Sequence, residues 1–393
     1  MRNNPEFDWR TIGALNTVSA LSQVGQFGIA FVMLPVWLAG QGLDAKQLGL
    51  FAASLWLGQL PGLALAPWLS QRFGCKPVIV SGLFCTILAL LGMAVAAWPF
   101  WLLGGVLAGF GLGLRWIGLE PWLYHIAPAH ARGRLVGFHE TLIALAPIVA
   151  PVMASYFGLH GLAVFWIGIV FTLASLVPLA FARSPGAEMA LRPTQHAKPS
   201  PGKPGRDRIF KLGVAIALLG GMMEAAVSGL FALFAQGRGI PVSQAADLLA
   251  VFGLGGLLMQ YGVGWLADHR GVGTAALVCA LGTIFVAVGL TQPLNHVWLV
   301  VAVFLLGGLI TAFLTLALIA STMTSTGSIA KNVSMMSMLY TVSAIAGPLM
   351  AGATMKATNA DALMWFTAAA ALAMVCALAW LVITKVPSAV RLP

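Results

Sequence analysis

Four ionisable side chains, Arg115, Glu120, Glu140 and Glu224, lie inside long apolar runs of this 393-residue chain. A charge kept in hydrocarbon costs about 2.5–3.5 kcal/mol on insertion scales, so residues of this type at such positions call for a functional reason. A buried carboxyl exchanges its proton when its exposure or a neighbouring cation changes, and that is the chemistry these side chains suggest. Arg115 and Glu120 are five residues apart and so about 140° apart around a helix, which keeps them off one face. Glu140 belongs to the next apolar run and is the expected partner of Arg115, with a permanent packing ion pair as the competing role. His139 stands about 100° from Glu140 on the same helix and is a candidate proton relay. Glu224 has Gly220 and Gly221 one turn before it, Ser228 one turn after, and no evident cation partner. It reads as a neutral acid able to exchange a proton or hold a cationic ligand, with a hydrogen-bonded structural carboxyl as the alternative.

The first apolar run carries Asn16, Ser19, Gln23 and Gln26, whose offsets confine them to an arc of about 80° on a regular helix. Facing this stripe to lipid is costly, so it is expected to line a central cavity, with an interhelical hydrogen-bond seam as the other solution. Ser228 and Tyr340 join it as cavity candidates, Tyr340 sharing a face with Ser337 and Thr341. Thr311 and Thr315 are weaker, because a hydroxyl can bond its own helix backbone. Gly105-x-x-x-Gly109-x-x-x-Gly113 lets its helix pack closely against a neighbour. The four cysteines are scattered without paired spacing, so neither a disulfide framework nor a metal site is expected, and nothing in the sequence calls for a cofactor.

The elements that hold these residues follow from composition. Hydrophobic residues make up 60% of the chain and charged ones 8%, against about 45–50% and about 25% in soluble domains. Twelve apolar stretches are long enough to cross about 30 Å of hydrocarbon: 11–38, 47–70, 77–97, 100–126, 134–157, 160–182, 209–236, 244–267, 273–291, 296–322, 330–355 and 361–384. Alternating strands are absent, which excludes an outer-membrane barrel. The first stretch lacks a cleavage signature and is expected to stay as a span. Seventeen of the 21 Lys and Arg fall on the side holding both termini, against Lys46, Arg238 and Lys356 on the other. The positive-inside preference then places both termini in the cytoplasm. The net charge of +10 thus sorts by membrane side instead of forming a basic face, and no nucleic-acid partner is expected.

A Pro-, Gly- and Lys-rich stretch at 183–208 divides the chain and reads as a cytoplasmic linker between a bundle at 1–182 and a second at 209–393. Sliding the second half onto the first by 197 residues superposes Gly40, Gly42, Gln47, Trp68, Leu69 and Gly74 on Gly237, Gly239, Gln244, Trp265, Leu266 and Gly271. At the slightly larger offset of 201, Ala146-Pro147-x-x-Ala150-Pro151 meets Gly347-Pro348-x-x-Ala351-Gly352. Six spans per half make the two repeats parallel, an arrangement used by one large class of membrane proteins.

These residues resemble the major facilitator superfamily over essentially the whole chain. Its signature loop after the second helix, Gly-x-x-x-Asp-Arg-x-Gly-Arg-Lys, is matched by Gly264-x-x-x-Asp268-His269-Arg270-Gly271. A degraded copy stands at Pro67-x-x-x-Gln71-Arg72-Phe73-Gly74-Cys75-Lys76, where Gln71 replaces the acid. The resemblance implies an all-α membrane fold of twelve helices in two pseudo-symmetric six-helix bundles. It also implies a cytoplasmic gate at Asp268, Gly264, Gly271, Arg72 and Gly74. The elements at 146–151 and 347–352 are similar to a motif of antiporter branches, though close packing explains them as well. The segment GLGLRWIGLEPWLYHIAPAHARGRLVGFHET looks like a poorly characterised bacterial branch.

The resemblance implies a monomeric secondary active transporter of the bacterial inner membrane, surrounded by lipid, with a small-molecule substrate and protons as the coupling ion. Export leads, and proton-coupled uptake of a metabolite is the alternative. A non-transporting receptor or scaffold is the reading from a different class. No GxxxxGK[ST] is present for ATP hydrolysis, His139-Glu140 lacks the second histidine of HExxH, and no nucleophile elbow occurs, so an enzyme is not expected.

Overall fold

The computed structural model describes residues 8–126, 132–157, 161–183, 206–323 and 329–383. Twelve helices in this part are long and apolar enough to span a bilayer. In the first half they are α1 (Trp9–Gly40), α2 (Ala45–Phe73), α3 (Cys75–Val95), α4 (Trp101–Ile126), α5 (Arg132–Ala144 continued by Ala146–Phe157) and α6 (Ala163–Phe181). The second half holds α7 (Arg206–Gly237), α8 (Val242–Arg270), α9 (Val272–Leu290), α10 (His296–Thr322), α11 (Ile329–Ala357) and α12 (Ala362–Ile383). The expected spans are reproduced, most of them extended by a few residues at their polar ends. Residues 184–205, most of the expected linker, lie outside the described residues.

Local chemistry sets the ends and breaks. Asp8 accepts the Thr11 N–H to start α1, and Asp44 and Gln47 form a reciprocal capping box at α2. Asn295 caps α10 by accepting from the Trp298 N–H. The turn at Leu145 interrupts α5 just before Pro147, and α6 breaks at Ser175 just before Pro178. Each proline lacks the N–H that would continue the ladder and crowds the carbonyl four residues back. Helix α1 widens to a π-helix over Val24–Met33, closed by Leu34 N–H donating to Ile29 O. Within that stretch a Cβ on Gly25 would lie 2.3 Å from Thr172 Oγ1, and one on Gly28 2.5 Å from Ala150 Cβ. The widened turn is therefore pressed against α6 and α5.

The sequence repeat is a structural repeat. Helices α2 and α8 are 29 residues each and end on Gly74 (φ 90°) and Gly271 (φ 87°). They are preceded by Gly42 (φ 84°) and Gly239 (φ 74°), a conformation that side chains disfavour. A Cβ on Gly109 of α4 would stand 1.8 Å from Leu55 O of α2, and one on Gly307 of α10 would stand 2.0 Å from Phe252 O of α8. The glycine stripe of α4 thus packs on α2, and the second half repeats the arrangement.

Helices α2, α5, α7, α8 and α11 join the halves. A Cβ on Gly49 would stand 2.3 Å from Pro348 O, one on Gly352 2.4 Å from Ala45 O, and one on Gly229 2.7 Å from Ala52 Cβ. Gly253 of α8 meets Pro147 O of α5, 3.0 Å from an added Cβ. With consecutive helices running in opposite directions, these contacts extend from the bundle end away from the termini to about its middle. The two proline motifs, at 146–151 and 347–352, sit in this interface.

Candidate functional site

Arg115 lies close to mid-span in α4 and is 1% exposed. Its Nε donates to Gln26 Oε1 at 2.9 Å, and its Nη2 donates to Gln23 Oε1. Gln26 Nε2 in turn donates to Thr86 Oγ1 at 2.7 Å and to Gly82 O at 3.3 Å. The guanidinium thus fixes the amide's orientation, oxygen toward charge and nitrogen toward α3. Glycines make room for this. A Cβ on Gly82 would stand 2.5 Å from Gly111 O and 2.8 Å from Arg115 N, so α3 and α4 approach closely enough to be bridged from α1.

Two expectations are corrected here. Glu140 is exposed, and among the described residues no carboxylate forms an ion pair with Arg115; its hydrogen bonds go to amides. Consecutive helical residues diverge by about 100°, and on α5 His139 takes the interior. Its Nδ1 lies 3.1 Å from Asn16 Oδ1 and its Nε2 3.8 Å from Glu120 Oε1. Glu120 is half-buried.

The second correction concerns the polar stripe. Asn16, Ser19, Gln23 and Gln26 are all under 9% exposed. Asn16 turns to His139 of α5, while Gln23 and Gln26 turn to Arg115 of α4. Asn16, Gln23 and Gln26 form an interhelical seam inside the first bundle in this conformation, while the Ser19 hydroxyl is buried without a hydrogen-bond partner. Thr86 and the π-helix are the parts of this seam that periodicity missed. A single threonine in an apolar run carries no pattern, and an α-helical arc assumes the very geometry that α1 abandons.

In the second half, Glu224 sits near the middle of α7, and its Oε2 accepts the Tyr340 hydroxyl of α11. Close approach again prepares the pair: a Cβ on Gly221 would lie 2.3 Å from Tyr340 O, and one on Gly347 2.1 Å from Met222 O. Ser228 donates to the Glu224 backbone carbonyl at 2.8 Å, so its hydroxyl serves the helix. Among the described residues no Lys, Arg or His pairs with Glu224. Glu224 is half-buried, whereas Tyr340 is 4% exposed.

The expected gate loops lie apart from these clusters. Gly74 and Gly271 supply positive φ at the ends of α2 and α8, and the Arg72 guanidinium lies 5.7 Å from the Trp68 and Phe73 ring centres. Asp268 is exposed and has no partner among the described residues. A Cβ on Gly264 would meet open space. Among the described residues, no group of three His, Cys, Asp or Glu side chains could hold a metal ion.

The sequence pattern of the Major Facilitator Superfamily matches residues 16–328 and 214–393. An uncharacterised MFS-type transporter, YcaD of Escherichia coli, is 25% identical over 231 residues, and another of an Enterobacter species is 27% identical over 233. Each alignment covers 58% of this chain and 59% of the relative. The solved nucleoside transporter NupG superposes with a TM-score of 0.77 at 13% identity, covering 94% of this chain and 99% of that one. A bacterial homologue of the human lysosomal transporter Spinster, inward-facing and unoccupied, gives 0.69 at 16% identity, with 97% and 96% covered. A D-xylose-proton symporter gives 0.69 at 14%, with 94% and 97% covered. Twelve apolar spans among the described residues and this match together make the chain a member of the major facilitator superfamily, a family of transporters and not of enzymes.

Proposed function

We propose that the protein exports a small amphipathic or hydrophobic compound across the bacterial inner membrane in exchange for protons, by alternating access, as a monomer with both termini cytoplasmic. The observation that carries the reading is Glu224, a mid-membrane carboxyl whose side chain meets a tyrosine hydroxyl and no cation among the described residues. A carboxyl so placed gains or loses a proton when the cavity changes the side it faces. The lysine and arginine asymmetry of the loops supports the orientation. With that orientation, halves that touch from the outer surface to mid-depth, together with an exposed Asp268, support an inward-facing reading. Export rests on the proline elements at 146–151 and 347–352, which lie where the halves meet.

The test needs a substrate first, and a thermal-shift screen of the purified protein supplies it, because a ligand of the folded state stabilises it. Proteoliposomes of known orientation are then loaded with that compound and given an acidic exterior. Efflux driven by inward proton flow is expected. Accumulation from outside under the same gradient would establish uptake, and absence of counterflow would leave a receptor or scaffold.

A further inference from the structure

We propose that Asp44 and Lys356 form a latch that holds the two halves together at the end away from the termini, and that this latch breaks when that end opens. Lys356 Nζ donates to Asp44 Oδ2 at 2.7 Å. It crosses from the first half to the second, whereas His139–Glu120, Arg183–Asp8 and Arg238–Asp361 each lie within a half. The inference rests on the alternating-access reading and adds to it a defined outer gate.

Four features make this pair more than an incidental surface contact. The first is division of labour on one carboxylate: Oδ1 accepts the Gln47 N–H at 2.9 Å to cap α2, while Gln47 Oε1 accepts the Asp44 N–H at 3.0 Å. The cap holds the side chain in place and leaves Oδ2 for the lysine. The second is position. Lys356 stands in the last turn of α11, and the same two helices touch at Ala45, Gly49, Pro348 and Gly352. Any separation of α2 from α11 that undoes those contacts also pulls the charges apart.

The third feature is a firm base for the lysine. Arg238 Nε donates to Asp361 Oδ1 at 2.9 Å and its Nη1 to Gln292 O at 3.0 Å, while Nη2 reaches Thr291 O. That one guanidinium ties together the three loops at this end of the second half, so Lys356 moves with them as a unit. The fourth is a departure from the repeat. The residues equivalent to Asp44 and Lys356 are Pro241 and Ser155, which cannot form an ion pair. Only one side of the pseudo-twofold carries the latch.

Both side chains are partly solvated, 40% and 52% exposed, so the contribution is modest and screened by salt. A population measurement suits it. In a background with Cys75, Cys85, Cys279 and Cys376 replaced, Ala97→Cys and Leu294→Cys place spin labels on exposed loops of opposite halves, away from the pair. Double electron–electron resonance then reads closed and open outer populations. Asp44→Asn keeps a side chain that caps a helix well but removes the charge, and Lys356→Gln removes the other charge.

Each variant is expected to raise the open-to-closed ratio by about 1.4- to 5-fold, and the double variant no further than either alone. Salt raised to about 0.5 M should move the unaltered pair toward the variants and leave the variants unchanged. A shift in Asp44→Asn alone would assign its effect to the cap and overturn the latch. Equal populations in all proteins, with an open state present, would overturn it too. No open state under any condition would contradict alternating access itself and the latch with it.

Discussion

Arg115 and Gln26 meet at 2.9 Å inside the first bundle, a full charge held by a neutral amide. A guanidinium does not give up its proton in a protein, so its donors must be satisfied where they are. The α1 seam does this with two glutamines, and the π-helix of α1 is the local geometry in which Gln26 reaches both Arg115 and Thr86. Wide helical turns of this kind are rare and concentrate at functional sites.

Replacing Gln26 by leucine removes the acceptor while keeping bulk. The Arg115 Nε–H is then left buried without its partner, a loss of about 1–3 kcal/mol, and the α1–α3 bridge disappears as well. Thermal unfolding in detergent should show a clear drop for Gln26→Leu. Thr86→Val, which removes only the far end of the chain, should drop less.

Gly74 and Gly271 end equivalent helices at positive φ with extended ψ (159° and 153°), a conformation that essentially only glycine adopts. Alanine at either is expected to cost about 1–2 kcal/mol, and the two losses should add because the sites are far apart. Gly264→Ala, whose Cβ would enter open space in this conformation, should leave the melting temperature of this state unchanged.

Asp44 answers to pH in a defined direction. Burial at the helix end raises its pKa, but the Lys356 ammonium and the backbone N–H groups of the cap outweigh that, and the carboxyl titrates below the usual aspartate range. A carboxylate with a depressed pKa contributes above its ordinary value, about 3.9, and loses the contribution as pH falls through the depressed one. The closed outer population should therefore hold constant from about pH 8 to 5, and respond to salt across the same range. A rise in opening between pH 7 and 5 would point to a different titrating group.

In this conformation Asp268 is exposed and without a partner among the described residues. Its contacts are expected only in the opposite state, where α8 closes against neighbouring helix ends. Asp268→Asn should then leave the open form as stable as before and weaken the closed one, shifting the population toward the former. Distances between spin labels across the end bearing the termini should lengthen on average; unchanged distances would remove Asp268 from the gate.

Much of the architecture was legible because it rests on local rules. Apolar run lengths gave the spans, and glycines 197 residues apart marked the repeat that Gly42, Gly74, Gly239 and Gly271 then displayed as shared backbone geometry. The partners of the deep residues were not legible in the same way. Glu140 and His139 are neighbours in sequence, and only the rotation of α5 decides which turns inward. The stripe from Asn16 to Gln26 was found by α-helical periodicity, but its last member, Gln26, sits in a π-turn that periodicity cannot report. Glu224 stood out by its cost, whereas Tyr340, 116 residues away, was visible only as one hydroxyl on a helix face. Asp44 and Lys356, 312 residues apart, looked like ordinary loop charges.

The proposed export in exchange for protons requires Glu224 to carry the coupling proton. Its most direct test is substrate movement by Glu224→Gln in proteoliposomes, measured once under an imposed pH gradient and once as exchange without any gradient. Glutamine keeps the size of the side chain and an acceptor for the Tyr340 hydroxyl but cannot exchange a proton. Gradient-driven transport should be lost while exchange stays largely intact. Retained gradient-driven transport in a stably folded Glu224→Gln protein would contradict the account and move the proton to the Glu120–His139 pair.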